Sequence, residues 1–562
     1  MRATAGRLSA ALGGCRHNGP IEILIFHGYL LEGTGSNVYT AKVAQAMARM
    51  GHRVHLLCQD RNAPDYEWID GFGSWEGGEL EVRRLDRSPR SRGGEIVAYT
   101  PDIGRILPVY VADPYEGFDA RPYPELAESE LARYIDANVA AAREVAERAG
   151  GVDAALSNHL VMGPLILARA GLEFAAKIHG SALSYTVKPH PRFLPYAIEG
   201  LEAASAVLVG SRHTAESLWE TLDHPSIEAK TRLGPPGVEV ERFAPADRDR
   251  SELLSELAAS IEPAGGRVSA GGAAESAGGD PSSGDKAPAA SFGRDPAAAR
   301  RALTAYAEAE GPRVIFVGKL IVSKGLDLLL AAWPIFATAH PGAHLLVGGF
   351  GAYREPLERL WSALATGDLE TARDIARRGR GLEGHGDEEA PLRMLSDFLA
   401  DPPDGYLDAV GGGLADSVSF AGRLTHDEVA EAVRGSGAMV VPSTFPEAFG
   451  MVAAEAAATG ALPICARHSG LAEVAAALEQ ELPAAAAGLT SFELGPEAIA
   501  TISARLERWF GLEGVEREHA RRSLRRAVTE RWSWEGVAGG VIAGSAGRLT
   551  ELSRVPDDSE LA

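Results

Sequence analysis

Two short stretches carry the side chains best suited to chemistry. In "RVIFVGKLIVSKG" (313–325), Lys319 and Lys324 follow an apolar, strand-like run and precede a helical one. Gly318 lets the backbone turn at the end of that run. Two ammonium groups at the carboxyl end of a strand, beside a helix N-terminus, make a site for a diphosphate. Two solvated surface lysines are the alternative that spacing leaves open. In "PSTFPEAFGMVAAEA" (442–456), Glu447 and Glu455 are eight residues apart. On one continuous helix they would point about 80° apart. Pro446 instead places Glu447 in a loop, with the helix starting after it. The first N–H groups, at Phe449, Gly450 and Met451, then lie between the two carboxylates.

Glu455 raises its own question. It sits among Met451, Val452, Ala453, Ala454, Ala456, Ala457 and Ala458, a helix apolar on nearly every side and therefore buried. A buried carboxylate without a partner is costly and shifts toward its protonated form. A structural salt bridge, a slot open to solvent and a bound diol all answer the need, since a carboxylate accepts two hydrogen bonds from a pair of hydroxyls. His179 closes the strand-like "EFAAKIH"; a histidine there is either a satisfied core residue or a group facing a ligand. His27 ends another such run.

The elements that must hold these residues follow a simple order. From Ile21 onward, short apolar runs alternate with helix-periodic ones: "IEILIFHG", "HRVHLLCQ" (52–59), "DAALSN" (153–158), "EFAAKIHG" (173–180) and "SAVLVGS" (205–211). The alternation resumes with 312–318, 343–349, 417–422, 438–443 and 462–466. Such alternation means doubly wound parallel sheets. Residues 60–125, rich in proline and aromatics, read as long loops. The stretch "AGGRVSAGGAAESAGGDPSSGDKAPAASFG" has almost no core formers and reads as a tether. The expected organisation is a loose tail over 1–19, an N-terminal Rossmann-like domain over 20–245, and a flexible linker over 246–300. A C-terminal Rossmann-like domain over 301–515 follows, with a mostly helical insertion at 350–416. A helical segment, 516–550, is expected to pack back on the N-terminal domain. Ligands of such sheets bind beyond the carboxyl ends of the strands, so two halves facing each other would form a cleft there.

Bulk composition narrows the class. A chain of 562 residues with 45% hydrophobic and 23% charged residues is globular and too long for one core. A net charge of −22 disfavours nucleic acid and anionic membrane surfaces. No run approaches the length of a membrane span, so no stable membrane insertion is expected. Cys15, Cys58 and Cys465 have no paired spacing, which fits a reducing cytoplasm and no zinc or disulfide framework.

Taken together, "GKLIVSKG" followed by "PSTFPEAFGMVAAEAAATGALPICARHSGLAEV" resembles the retaining glycosyltransferases of family 4, which have the GT-B fold. "GTGSNVYTAKVAQAMARMGHRVHLL", "KIHG", "LVGS" and "PPGVEVERF" add to the resemblance, which covers roughly 20–245 and 311–545. It implies two Rossmann-like domains facing each other across a cleft. It implies transfer of a hexose from a UDP- or GDP-linked sugar to a sugar, polyol or lipid-linked acceptor, with retention. Lys319 and Lys324 would then hold the donor diphosphate at Gly318, and Glu455 the ribose. Glu447 and the backbone of Phe449, Gly450 and Met451 would hold the donor sugar and its phosphate. His179 would face the anomeric centre, Gly35 and Ser36 in the Gly33–Ser36 loop would close over phosphates or acceptor, and Arg423 and Leu424 would lie near the base. No residue offers itself as a nucleophile for double displacement, so the resemblance implies front-face substitution. No cofactor or metal is required, because the lysines can supply the positive charge.

The chain departs from the family pattern in three places. Lys319 stands where arginine is common, and the two are not interchangeable at a bidentate site. "HSG" (468–470) replaces a double glycine, and the first loop reads "GTGS". A nucleotide-sugar epimerase or hydrolase on the same fold is the rival reading. An NAD-dependent oxidoreductase is disfavoured because "HGYLLEGTGSN" lacks GxGxxG spacing.

Overall fold

The computed structural model describes residues 19–32, 35–87, 93–110, 118–261, 294–383, 390–403, 405–410 and 413–557. Apart from Gly19, the expected tail lies outside these. The chain divides into two compact units, one comprising residues up to Gly237 together with those from Trp534 onward, the other Val238–Ser533. Each is an α/β unit built on a mainly parallel sheet, the two Rossmann-like units of the GT-B fold class.

In the first unit the strands are β1 (Glu22–Phe26), β2 (Arg53–Leu57), β3 (Gly71–Glu76), β4 (Glu79–Arg84), β5 (Glu95–Thr100), β6 (Ile106–Val109), β7 (Asp119–Pro122), β8 (Ala154–Asn158), β9 (Ala175–Ile178), β10 (Ala206–Val209) and β11 (Thr231–Leu233). Nine of them form one sheet in the order β11-β10-β9-β8-β1-β2-β5-β3-β4, and β6 pairs with β7. Only β3–β4 is antiparallel in the large sheet. Ile23, Leu24, Ile25 and Phe26 of β1 are all buried, as a parallel strand covered on both faces requires. The helix Trp534–Ser545 belongs to this unit. Its Ser545 Oγ accepts the Ala155 N–H of β8 at 2.9 Å, and Trp534 meets Tyr39 edge-on at 5.7 Å. Gly237 is required beside it, because a Cβ there would lie 2.5 Å from the Trp534 ring.

In the second unit β12 (Arg313–Val317), β13 (His344–Gly348), β14 (Val418–Gly422), β15 (Ala438–Val441), β16 (Leu462–Ala466) and β17 (Ser491–Phe492) form a parallel sheet in the order β14-β13-β12-β15-β16-β17. The apolar runs expected as strands become β12 to β16. The 350–416 stretch is helical at Arg354–Thr366, Leu369–Arg378 and Arg393–Ala400, and it adds Leu357, Leu360 and Leu395 to the core.

Three expectations are corrected. Residues 60–125 are not merely loops, for they hold β3 to β7. β4 ("ELEVRR") is the edge strand and buries only Leu80, and β6 and β7 lie outside the large sheet, so their apolar signal is weak, whereas β5 is an interior strand that buries Ile96, Ala98 and Tyr99. The linker is shorter than 246–300. Its middle, 262–293, lies outside the described residues, but both ends are helices of the second unit, Arg250–Ser260 and Pro296–Ala307. Asp249 and Asp295 cap them through backbone N–H groups, and Leu253, Leu254 and Leu303 are buried. Averaging composition over the segment hid the leucine spacing of "SELLSELAAS". The domain boundaries also move. Val238 onward joins the second unit, and of the 516–550 segment only the part from Trp534 joins the first, while Gly514–Trp532 stays with the second.

The linker correction is testable. Leu254 is fully buried, and its Cγ lies 2.6 Å from where a Cβ on Gly435 would sit. Leu254→Ala is expected to lower stability by about 3 kcal/mol in denaturant unfolding. No measurable change would return the segment to the linker.

Candidate functional site

The two motif stretches meet because their strands are neighbours. β12 pairs with β15 through Val314–Ala438 and Ile315–Met439, so the loops leaving their carboxyl ends lie side by side. The first loop turns at Gly318, whose N–H donates to Gly348 O at 3.1 Å. It passes Lys319, makes one 3₁₀ turn over Val322–Lys324, and enters the helix Leu326–Ala339 through Gly325. Gly325 has φ +65°, and a Cβ on it would sit 2.0 Å from Pro442 O. Glycine is therefore demanded twice, by conformation and by contact. The second loop is stitched to the first: Thr444 N–H donates to Ser323 O at 2.8 Å, and Ser443 Oγ approaches the same oxygen at 3.1 Å.

This stitching brings Lys324 Nζ onto Glu447 Oε1 as an ion pair. Ser443 Oγ donates to the same Oε1 at 2.8 Å, while Oε2 is buried without a hydrogen-bond partner. Glu447 is only 4% exposed; a carboxylate that buried calls for a partner such as the lysine. Its backbone is also held: the Glu447 N–H donates to Ser469 Oγ at 2.8 Å, and Glu447 O accepts from Gly470 N–H at 2.9 Å.

The helix expected after Pro446 is Met451–Thr459. Its N-cap is Gly450, which has φ +129° and makes no side-chain cap, so the first-turn N–H groups at Met451 and Val452 have no intrahelical partner. Phe449 turns its ring inward, edge-on to Trp532 at 5.4 Å. Leu424 is likewise buried in the core, whereas Arg423 lies over the Phe350 ring at 5.2 Å. Lys319 is partly buried beside Gly318.

Glu455 is 4% exposed and has a partner that sequence reasoning missed. His426 Nε2 lies 3.3 Å from Glu455 Oε1. The other ring nitrogen, Nδ1, meets Arg242 Nη1 at 2.8 Å and Glu239 Oε2 at 3.6 Å. Burial works against the charged ring, but the Glu455 bond and the Glu455 and Glu239 charges outweigh it despite Arg242, and the His426 pKa is raised. His426 opens a helix behind Thr425, which forms a capping box with Glu428; nothing in the local pattern points to a residue 29 positions on.

In the first unit, β1, β8 and β9 are adjacent strands, and each is followed at its carboxyl end by a histidine, His27, His159 and His179. His159 stacks on His27 at 5.6 Å and tilts against His179 at 5.2 Å. His179 Nε2 bonds Asn158 Oδ1 at 2.9 Å. Burial, then the neighbouring His159, Lys177 and His27, hold its pKa well below the usual histidine range, so it is a neutral imidazole. Gly35 and Ser36 form the first turn of the helix Gly35–Arg49, where Ser36 O accepts from Thr40 Oγ1 at 2.8 Å; Gly33 and Thr34 lie outside the described residues. Lys319, Lys324, Glu447 and Glu455 thus share the second unit, and His179, Gly35 and Ser36 the first. Among the described residues no three or more His, Cys, Asp or Glu side chains group to hold a metal ion, and no described helix is long and apolar enough to cross a membrane.

Residues 411–507, which contain both glutamates, match the family described as "Glycosyl transferases group 1". The chain is similar to glycogen synthase of Mycobacterium tuberculosis, with 26% identity over 245 residues, 44% of each chain. It is also similar to an uncharacterized glycosyltransferase of Methanocaldococcus jannaschii, with 24% identity over 225 residues, 40% of this chain and 42% of the other. The match therefore spans less than half the length of these curated relatives. Among solved structures, a glycosyltransferase from Rickettsia africae superposes with a TM-score of 0.51 at 12% identity, over 94% of this chain and 99% of that one. At that identity the likeness is one of fold.

The Glu455–His426 contact yields a pH signature. A histidine whose folded pKa is raised contributes stability that is complete below the unfolded value near 6.5 and is lost as pH rises through the folded value. Glu455→Gln is expected to lower the melting temperature of the ligand-free chain more at about pH 6 than at about pH 9. Equal losses at both would show that the pair carries no charge.

Proposed function

We propose that the chain is a retaining glycosyltransferase of family 4 that moves a hexose from a nucleoside diphosphate sugar to a sugar, polyol or lipid-linked acceptor, acting in the cytoplasm. The observation that carries this reading is the Lys324–Glu447 pair at the carboxyl ends of β12 and β15, beside the uncapped start of the helix Met451–Thr459. A cation and bare N–H groups suit the two phosphates. Carboxylates on the same loop and helix suit sugar and ribose hydroxyls. The group 1 match over 411–507 supports the same assignment.

In this reading Lys319 and Lys324 stabilise the charge that develops on the departing nucleotide, which calls for no metal and no cofactor. Glu447 and the Phe449–Met451 backbone hold the donor sugar and its phosphate, and Glu455 takes the ribose. Arg423 borders the base and Leu424 backs it from the core. In the first unit the reading assigns a sugar contact to His179 and phosphate or acceptor contacts to Gly35 and Ser36. The acceptor oxygen attacks the anomeric carbon on the face the leaving phosphate departs from, and that phosphate helps to take the acceptor proton.

The test screens UDP-, ADP- and GDP-hexoses with a panel of sugar and polyol acceptors. Nucleoside diphosphate should be released chiefly when an acceptor is added, and an α-linked donor should give an α-linked product by NMR. Lys324→Ala is expected to cut turnover by roughly 10²–10³ while the fold survives. Release independent of any acceptor, a β-linked product, or near-normal turnover by Lys324→Ala would each contradict the reading.

A further inference from the structure

Ser469 has φ +50°, a left-handed conformation that L-residues other than Gly, Asn and Asp rarely adopt. A glycine would sit there without strain, and the sequence puts a serine there instead. The hydroxyl that this choice retains accepts the Glu447 N–H at 2.8 Å. The same oxygen lies 3.2 Å from His468 Nδ1. His468 Nε2 in turn lies 2.7 Å from Ser443 O, a carbonyl that can only accept, which fixes the Nε2–H tautomer and leaves Nδ1 to accept from Ser469. Ser443 Oγ then donates to Glu447 Oε1 at 2.8 Å. The donors run in one direction around a closed ring: Glu447 N–H to Ser469, Ser469 to His468, His468 to the Ser443 carbonyl, and the Ser443 hydroxyl back to the Glu447 carboxylate.

We infer that Ser469, with His468, is a positioning residue that fixes Glu447 by its backbone while Ser443 and Lys324 fix its carboxylate. The ring grips both ends of one side chain, so the carboxylate is held within a narrow range of directions, which is what a group acting on a transition state needs. A strained serine in such a place is explained by what its hydroxyl does rather than by its backbone. The inference rests on the reading that Glu447 contacts the donor sugar.

Two substitutions separate positioning from mere structure. Ser469→Gly removes the hydroxyl and the backbone strain together; Ser469→Ala removes the hydroxyl and keeps the strain. Turnover is measured with whichever of UDP-glucose, ADP-glucose and GDP-mannose the parent chain uses, alongside thermal melts and a crystal structure of Ser469→Gly. Both variants are expected to lose roughly three- to tenfold in kcat with little change in donor KM, the size of one lost hydrogen bond. Their stabilities should diverge, with Ser469→Gly melting at or above the parent and Ser469→Ala below it, and the Glu447 carboxylate should be displaced in the crystal. Parent-like kcat in Ser469→Gly, activity that tracks melting temperature, or an unmoved Glu447 would overturn the inference. Glu447→Gln serves as the control: if it turns over at the parent rate, the donor-site reading itself fails and the role of Ser469 goes with it.

Discussion

The arrangement of the second unit depends on one ion pair, Lys324 with Glu447. The two residues are 123 apart in sequence, and strand order and loop contacts bring them together. β12 and β15 must be adjacent, Gly325 must leave room for Pro442 O, and the Ser443–Thr444 turn must bond to Ser323. A carboxylate as buried as Glu447 is tolerated only with such a partner. The pair also sets a competition. While Lys324 is held by Glu447, part of its charge is already balanced; a diphosphate arriving at the helix start offers a second anion for the same ammonium. In the proposed reading, binding is an exchange of partners for Lys324, while Ser443 and Ser469 keep Glu447 in place.

The first unit offers chemistry of a different kind at its strand ends. His27, His159 and His179 lie in a cluster flanked by Tyr29, Tyr39 and Tyr110. Burial, then the neighbouring His27, keeps the His159 pKa well below normal, and both of its ring nitrogens are buried without a hydrogen-bond partner. Burial likewise lowers the His27 pKa to about 4. These imidazoles are neutral at physiological pH, so the three rings carry hydrogen-bonding nitrogens rather than charge.

The strands β1, β2, β8 to β10 and β12 to β16 were legible because buried parallel strands are continuous apolar runs, as in "VIFV" and "MVV". β4 was not, since an edge strand that buries one residue in six carries almost no periodic signal. The helix Arg250–Ser260 was lost to the composition around it. Lys324, Glu447 and Glu455 stood out by type and spacing, but their partners did not. Ser443, His426 and Arg242 are chosen by strand order and by helix packing, which no local pattern records. Ser469 was visible as a departure in "HSG", yet its left-handed backbone and its bond to Glu447 exist only in the folded chain.

The exchange of partners by Lys324 is tested most directly by calorimetric titration of Glu447→Gln with UDP, ADP and GDP. Removing the carboxylate charge takes one anionic partner from Lys324, so the nucleoside diphosphate that the parent binds should bind this variant more tightly. A one-partner difference for an ammonium in a partly buried site is expected to amount to about 1–2 kcal/mol, roughly tenfold in Kd. Weaker or unchanged binding would mean that Glu447 does not compete for Lys324, and that the pair is a structural brace rather than the resting state of a donor site.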